Sequence, residues 1–390
     1  MQGVNRNFLT LLPPPSDRSH SAQGFHGRAS SELSAQAQRG ARRSLGPEAI
    51  SGHSAWEKPT SSLYKLKKVL YKYEVICNKR FRKHEGIMRI RKPGRVGDHI
   101  WFLGREESGV YLLEGKDEAM VISGGMSYIV PEILQQFDEF GIDEEKISKI
   151  LILHSHFDHV GVIPFFKRRL PRTEVFASAR AWEILQMEKA VATINEFSRN
   201  VAKRMEEEEA YFIYDLEWRD DVTGKTVREG DQIDLGGFKI SILEIPGHSS
   251  CCIAAYVPKL KALFPTDGGG IPLDETIVTS GNSNYTKYQE GLEKLKDLEV
   301  EVYCADHYGY VIGEEAKTFI PETIEKAKQN RALMEEVYRS TRDIDLAAKK
   351  LVSSFYDENP YYFLSPEIFL DVYRQMLRHI ASVIDDEKSQ

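Results

Sequence analysis

With 390 residues, 41% of them hydrophobic and 10% aromatic, the chain exceeds a typical single domain and can bury a sizeable core. Its net charge of −7 hides an asymmetry: residues 1–95 hold 19 Lys and Arg against 6 Asp and Glu, which leaves 33 against 53 for the remainder. So acidic a body argues against a nucleic-acid-binding protein, because phosphate contacts rely on Lys and Arg.

Residues 1–62 are rich in Ser, Arg, Gly, Pro and Gln and lack a sustained apolar period, the composition of a disordered leader. Its apolar piece, Phe8 to Leu12, stops at Pro13-Pro14-Pro15 and is too short for a secretory h-region or a membrane span. An Arg- and Ser-rich, acid-poor leader also has the composition of an organellar transit peptide, although its amphipathicity is weak. A biological start at Met88 would instead make it upstream translation. Residues 63–95 form a basic segment, including Lys65, Lys67, Lys68, Arg80, Arg82 and Lys83, read as a solvated arm in preference to an anion-binding surface.

From residue 99 the apolar pattern predicts strands at 100–103, 109–113 and 119–122. A helix follows at 131–140, ended by Gly141. The unbroken apolar run Ile150-Leu151-Ile152-Leu153 reads as a buried strand. Beyond it come a short helix at 162–168, a strand at 174–177 and a long helical stretch from Ala179 to just before Asp215. The last forms an insertion of about 180–222, and both an active-site cover and an exposed surface helix fit its pattern. Strands at 238–245, 252–257 and 262–264, a helix at 287–298 and a strand at 300–304 complete the alternation. Residues 313–390 are helical in pattern (319–338, 343–355 and 366–383), with a break at Asn359-Pro360.

Chemistry concentrates where the strands end. His154-Ser155-His156-Phe157-Asp158-His159 directly follows the 150–153 run. Only five His occur between residues 100 and 378, and the other two, His248 and His307, also follow apolar runs. Asp267 sits after Ala262-Leu263-Phe264 and before three glycines. Burying several imidazoles and carboxylates without compensation costs free energy that a metal ion can offset, and this N/O donor set suits zinc, with iron or manganese as alternatives. The four Cys, at 77, 251, 252 and 304, do not make a disulfide framework in a chain this long, so a reducing, cytoplasmic setting is expected. Cys251 and Cys252 lie near His248, but small buried cysteines are commonly packing residues.

These residues resemble the metallo-β-lactamase-fold superfamily, whose pattern is His-x-His-x-Asp-His followed by a distant His, an Asp and a final His; the match covers about residues 96–312. The resemblance implies an α/β fold, a four-layer αββα sandwich, here with a helical C-terminal addition (313–390) that would serve the substrate pocket or dimerisation. It also implies two adjoining metals: His154, His156 and His248 on one, Asp158, His159 and His307 on the other, with Asp267 bridging. The chain departs from the family at Ser123, where an Asp is usual, and at Ser249-Ser250-Cys251-Cys252, which replaces a Thr-x-Gly-His continuation. His156 disfavours the flavodiiron branch, which has Glu there.

Two divalent cations lower the pKa of bound water from about 15.7 to about 7, giving a hydroxide nucleophile at neutral pH, and polarise a carbonyl. Asp158 is the expected proton handler, with Tyr308 or Tyr310 as donor to a developing oxyanion. The expectation is therefore a metal-dependent hydrolase of an ester, thioester or lactone: a small-molecule enzyme, with no nucleic-acid partner or membrane span, for which a homodimer is compatible. The rival readings are a mononuclear-iron sulfur dioxygenase, a nucleic-acid phosphodiesterase and a metal-free binding protein on the same fold.

Overall fold

The structure, a computed structural model, describes residues 88–387. The expected leader, the basic segment up to residue 87 and Cys77 lie outside the described residues. Two short strands, β1 (Arg89–Ile90) and β2 (Gly94–Arg95), already belong to the two main sheets, so the folded unit begins ahead of the boundary drawn at residue 96. Arg89 is part of this fold and not of a solvated arm. Its guanidinium pairs with Glu315 at 2.6 Å and donates to the carbonyls of Asp274 and Thr276, each at 2.6 Å.

The first sheet continues with β3 (Ile100–Arg105), β4 (Ser108–Glu114) and β5 (Ala119–Ile122), all antiparallel neighbours. Helix α1 (Val130–Phe140) carries the chain over to β6 (Ile147–Leu151), parallel to β5. Pro131 suits its first turn, and Gly141, at φ 69°, closes it by donating its N–H to the Phe137 carbonyl. Helix α2 (Ile163–Arg169) leads to β7 (Glu174–Ser178). The insertion then forms three helices, α3 (Ala179–Leu185), α4 (Glu188–Arg204) and α5 (Glu208–Ile213), before β8 (Lys225–Val227). The sequence pattern runs straight through this region; the chain breaks because Glu206 takes a left-handed φ of 59°. The N–H groups of Glu206 and Glu207 then donate back to the carbonyls of Lys203 and Ala202, a C-cap that glycine usually provides.

The second sheet uses β9 (Gln232–Asp234), β10 (Lys239–Glu244), β11 (Ile253–Val257) and β12 (Ala262–Phe264). After a small hairpin, β13 (Ile271–Leu273) and β14 (Thr276–Val278), and helix α6 (Tyr285–Leu295) come β15 (Val302–Cys304) and β16 (Tyr310–Ile312). Its spatial order is β1-β16-β15-β12-β11-β10-β9, antiparallel except for β12 beside β15. Helices α7 (Glu314–Thr341), α8 (Ile344–Glu358) and α9 (Pro366–Glu387) end the described chain.

The strands explain the layering. Successive side chains of a strand point to opposite faces, and on β4 both sets are apolar: Val110 and Leu112 pack with the helices outside, while Tyr111 and Leu113 pack with the other sheet. Ile150 and Leu151 divide in the same way, as do Ala254 and Ala255 in the second sheet. Each sheet therefore needs helices on its outer face, and the result is a four-layer αββα sandwich. The C-terminal helical addition packs on the second sheet, because Phe319, Leu351 and Leu377 share one apolar cluster with Ala254 and Leu263. Among the described residues no helix is long and apolar enough to cross a membrane.

Candidate metal centre

The loop His154–His159 lies at the seam between the sheets. Ile152 N–H donates to Phe176 O on β7, and Leu153 O accepts from Ile253 N–H on β11, at 2.8 and 2.9 Å. The turn after β5 grips the other end: Gly161 and Val162 donate to the carbonyls of Gly125 and Gly124 at 2.8 and 2.9 Å. A Cβ on Gly124 would lie 2.5 Å from the His159 carbonyl oxygen, and one on Gly161 would lie 2.3 Å from Ser127 N. Glycine is required at both positions because backbone meets backbone there.

His154, His156, Asp158, His159, His248, Asp267 and His307 come together in one cluster. Their donor atoms form three overlapping groups, each within 4.8 Å: His154, His156 and His248; His154, His159 and Asp267; and Asp158, His159 and His307. All are buried except His156, which is partly exposed.

The outer hydrogen bonds fix where the lone pairs point. His248 Nδ1 lies 2.7 Å from the Ser280 carbonyl and His307 Nδ1 lies 2.6 Å from that of Glu107. A carbonyl only accepts, so both Nδ1 atoms carry the proton and their Nε2 lone pairs face inward. His159 Nδ1 donates to Asp306 Oδ2 at 2.8 Å. Thr266 Oγ1 gives its proton to the same carboxylate oxygen at 2.7 Å and accepts from His154 Nδ1 at 3.0 Å. Four Nε2 lone pairs thus converge, and His248 Nε2 and His156 Nδ1 stand 3.1 Å apart, His307 Nε2 and His159 Nε2 3.2 Å apart.

Neutral nitrogens facing one another at that distance repel unless a proton or a cation lies between them. His154 Nε2 and Asp267 Oδ1 are buried with no hydrogen-bond partner, an arrangement native interiors avoid. Asp267 Oδ2 lies 3.4 Å from His159 Nε2 and 3.5 Å from His248 Nε2, and Asp158 Oδ2 lies 3.7 Å from both His159 Nε2 and His307 Nε2. Two ligands bound at about 2.1 Å to one tetrahedral ion are about 3.4 Å apart. The donor set therefore fits divalent metal ions.

The protonation equilibria set three of the rings apart from His159. Burial, with neighbouring imidazoles, holds His154 well below the ordinary histidine range, and burial pushes His156 and His248 down to about 4. These rings stay neutral and available as ligands at pH 7. Burial opposes charge on His159 as well, but Asp267, Asp158 and Asp306 outweigh it and raise its pKa well above the usual value. Asp267 is held ionised against its own burial by His159, His307 and His248.

Asp306 was not singled out by the sequence reading. Its buried Oδ2 accepts from His159, Thr266 and Ser123 Oγ, the last at 3.0 Å. Ser123, standing where the family usually has Asp, therefore donates to a carboxylate supplied by the opposite sheet. The available signal was an acidic residue between a buried strand and a candidate ligand. Ser123, Thr266 and Tyr308 have left-handed φ values of 66°, 48° and 62°, each a strain of about 1–3 kcal/mol that clusters characteristically at functional sites.

Tyr308 is buried, and its hydroxyl oxygen accepts the Phe363 N–H at 3.0 Å. Tyr310 packs in the layer between the sheets, edge-on to Phe102. Phe363, from the loop between α8 and α9, stacks on His307 with centroids 4.2 Å apart. Cys251 lies between Ser249 Oγ and Ser155 Oγ at 2.9 and 3.3 Å. Among the described residues, no Cys joins a group suited to metal.

The fold and the cluster meet in one family. The model of the metallo-beta-lactamase superfamily matches residues 103–307, and the chain belongs to that superfamily. It is 24% identical over 210 residues to a metallo-beta-lactamase fold-containing protein of Sulfurisphaera tokodaii, across 53% of this chain and 74% of that one. A hydroxyacylglutathione hydrolase of Idiomarina loihiensis is 22% identical over 200 residues, across 50% of this chain but 58% of its own length. For that of Brucella anthropi the identity is 31% over 91 residues, across 22% of this chain and 32% of the relative. Among solved structures, a metallo-beta-lactamase family protein of Thermus thermophilus covers 75% of this chain and 95% of its own, with a TM-score of 0.55 and 16% identity, a likeness of fold.

Proposed function

We propose that the chain is a metal-dependent hydrolase of an ester, thioester or lactone. The observation that carries this reading is the convergence of Nε2 lone pairs and two buried carboxylates on one space, with His154, His159, His248 and His307 each aimed by a fixed outer partner. In this reading His154, His156 and His248 hold one divalent ion, Asp158, His159 and His307 hold the second, and Asp267 lies between the two sets. Zinc suits these donors best, with iron or manganese as alternatives. When bound, such ions activate water and polarise a carbonyl.

The remaining steps belong to the chain. Ser280, Glu107, Asp306 and Thr266 keep four of the five imidazoles in one tautomer, so those four need no rearrangement before reaction. Asp158 accepts the proton released as water adds to the acyl carbon and passes it to the leaving alcohol or thiol. Tyr308, a phenol whose pKa burial raises further above its ordinary value, carries its proton at neutral pH and is the donor assigned to the developing oxyanion. The hydroxyacylglutathione hydrolases are thioesterases by name and support the acyl class. The buried free thiols of Cys251, Cys252 and Cys304 suit a reducing, cytoplasmic setting.

The test is a screen of zinc-, manganese- and iron-loaded protein against thioesters, lactones, aryl esters and phosphodiesters. Turnover confined to acyl substrates is expected. Turnover confined to phosphodiesters, or oxygen uptake by an iron form without hydrolysis, would replace the reading.

A further inference from the structure

Two partly exposed aromatic surfaces adjoin the cluster. His156 is its one partly exposed imidazole, and Phe157, next in the chain, is half-buried and stacked on half-buried Phe197 of α4, with centroids 5.3 Å apart and planes 25° apart. At the Asp158, His159 and His307 group Phe363, also half-buried, covers the His307 ring at an interplanar angle of 24°. Buried Tyr362 and the Tyr308 hydroxyl hold that loop in place. Phe197 comes from the insertion and Phe363 from the loop between α8 and α9, while Phe157 belongs to the His154–His159 loop itself. Phe157 and Phe363 both pack against the apolar cluster outside the first sheet, and Phe363 also against the one outside the second.

From these surfaces we infer that the substrate is an acyl donor with an apolar acyl group, gripped between Phe157–Phe197 and Phe363 while its carbonyl faces the cluster. This deepens the hydrolase reading and rests on it. A partly exposed aromatic face beside a buried polar centre gains from covering by hydrocarbon, whereas a short or charged acyl group would leave it wet. The reaction balances as hydrolysis: water adds to the acyl carbon, the C–O or C–S bond breaks, the alcohol or thiol leaves with one proton, and the carboxylate releases the other.

The experiment uses the full chain loaded with zinc and a series of aryl esters from acetyl through butanoyl and hexanoyl to octanoyl. Burial of hydrocarbon should raise kcat/KM about fourfold per added methylene until the chain outgrows the walls, and the hexanoyl ester should exceed the acetyl ester by at least about tenfold. Phe197→Ala and Phe363→Ala should each flatten that ratio, and Phe197→Leu, which keeps an apolar wall, should restore much of it. Calorimetry supplies a readout independent of turnover: hexanoate should bind more tightly than acetate, and Phe197→Ala should abolish the difference. Equal turnover along the series with equal binding of both carboxylates would overturn the inference while leaving a hydrolase. No turnover of any ester or thioester, with hexanoate still preferred, would overturn the hydrolase reading and keep the cleft.

Discussion

The two sheets contribute to the cluster in different ways. The first sheet delivers His154, His156, Asp158 and His159 on one loop after β6, so four donors share a single local backbone conformation. The second delivers His248, Asp267 and His307 from the ends of β10, β12 and β15, three loops that only the tertiary fold brings together. The first set thus shares one local conformation, set against the glycines after β5, with His159 steadied from the opposite sheet by Asp306, whereas the second depends on sheet packing and on outer partners such as Ser280 and Glu107. Loss of a residue that joins the halves should therefore do more harm than loss of one that trims either.

Asp267→Asn breaks that joint most directly. It keeps the side-chain volume but removes the charge set among His159, His248 and His307, and activity should fall at least about 100-fold, on the scale of losing a major electrostatic contribution. Wild-type turnover under metal-limited conditions would reduce Asp267 to a turn residue. Asp306→Asn acts one step further out, on the partner shared by His159, Thr266 and Ser123, and should weaken metal binding about 10- to 100-fold. Adding Ser123→Asp to that variant returns a carboxylate from the first sheet, and competition with a chromogenic chelator should detect partial recovery. No loss in the single variant would show that the tautomers are set without Asp306.

Within the first sheet, Gly161→Ala forces a Cβ against Ser127 N. A loss of about 1–3 kcal/mol, the usual penalty for overpacking, is expected in denaturant unfolding; an unchanged midpoint would mean that the loop yields freely. Deleting residues 1–87 should have the smallest effect. Among the described residues every strand of both sheets lies at or after Arg89, so metal content and activity should stay within about twofold on an argument from backbone pairing and burial. Insoluble or unfolded truncated protein would count against that independence.

The contrast between the halves also decides what could be read from the chain. His154–His159 is legible because four donors within six residues have no ordinary use in a core, and the strands before it are continuous apolar runs. β8, β9 and the β13–β14 hairpin have only three residues per strand, too few for a period to register. The break at Glu206 escaped because a glutamate does what a glycine normally does. Asp306 could be seen but not interpreted, since its partners lie 40, 147 and 183 positions away. The return of Phe363 to His307 is likewise a long-range contact. Seven candidate donors stood at strand ends in the sequence, but their outer partners and aromatic walls emerge only when the two sheets are packed together.

The central claim is that both halves hold metal jointly. Metal analysis of the full chain, purified without chelator and repeated after zinc reconstitution, tests it most directly. Close to two equivalents of transition metal per chain are expected, falling toward one or fewer in Asp267→Asn under limiting metal. No bound metal in either preparation of the wild-type chain would contradict the account.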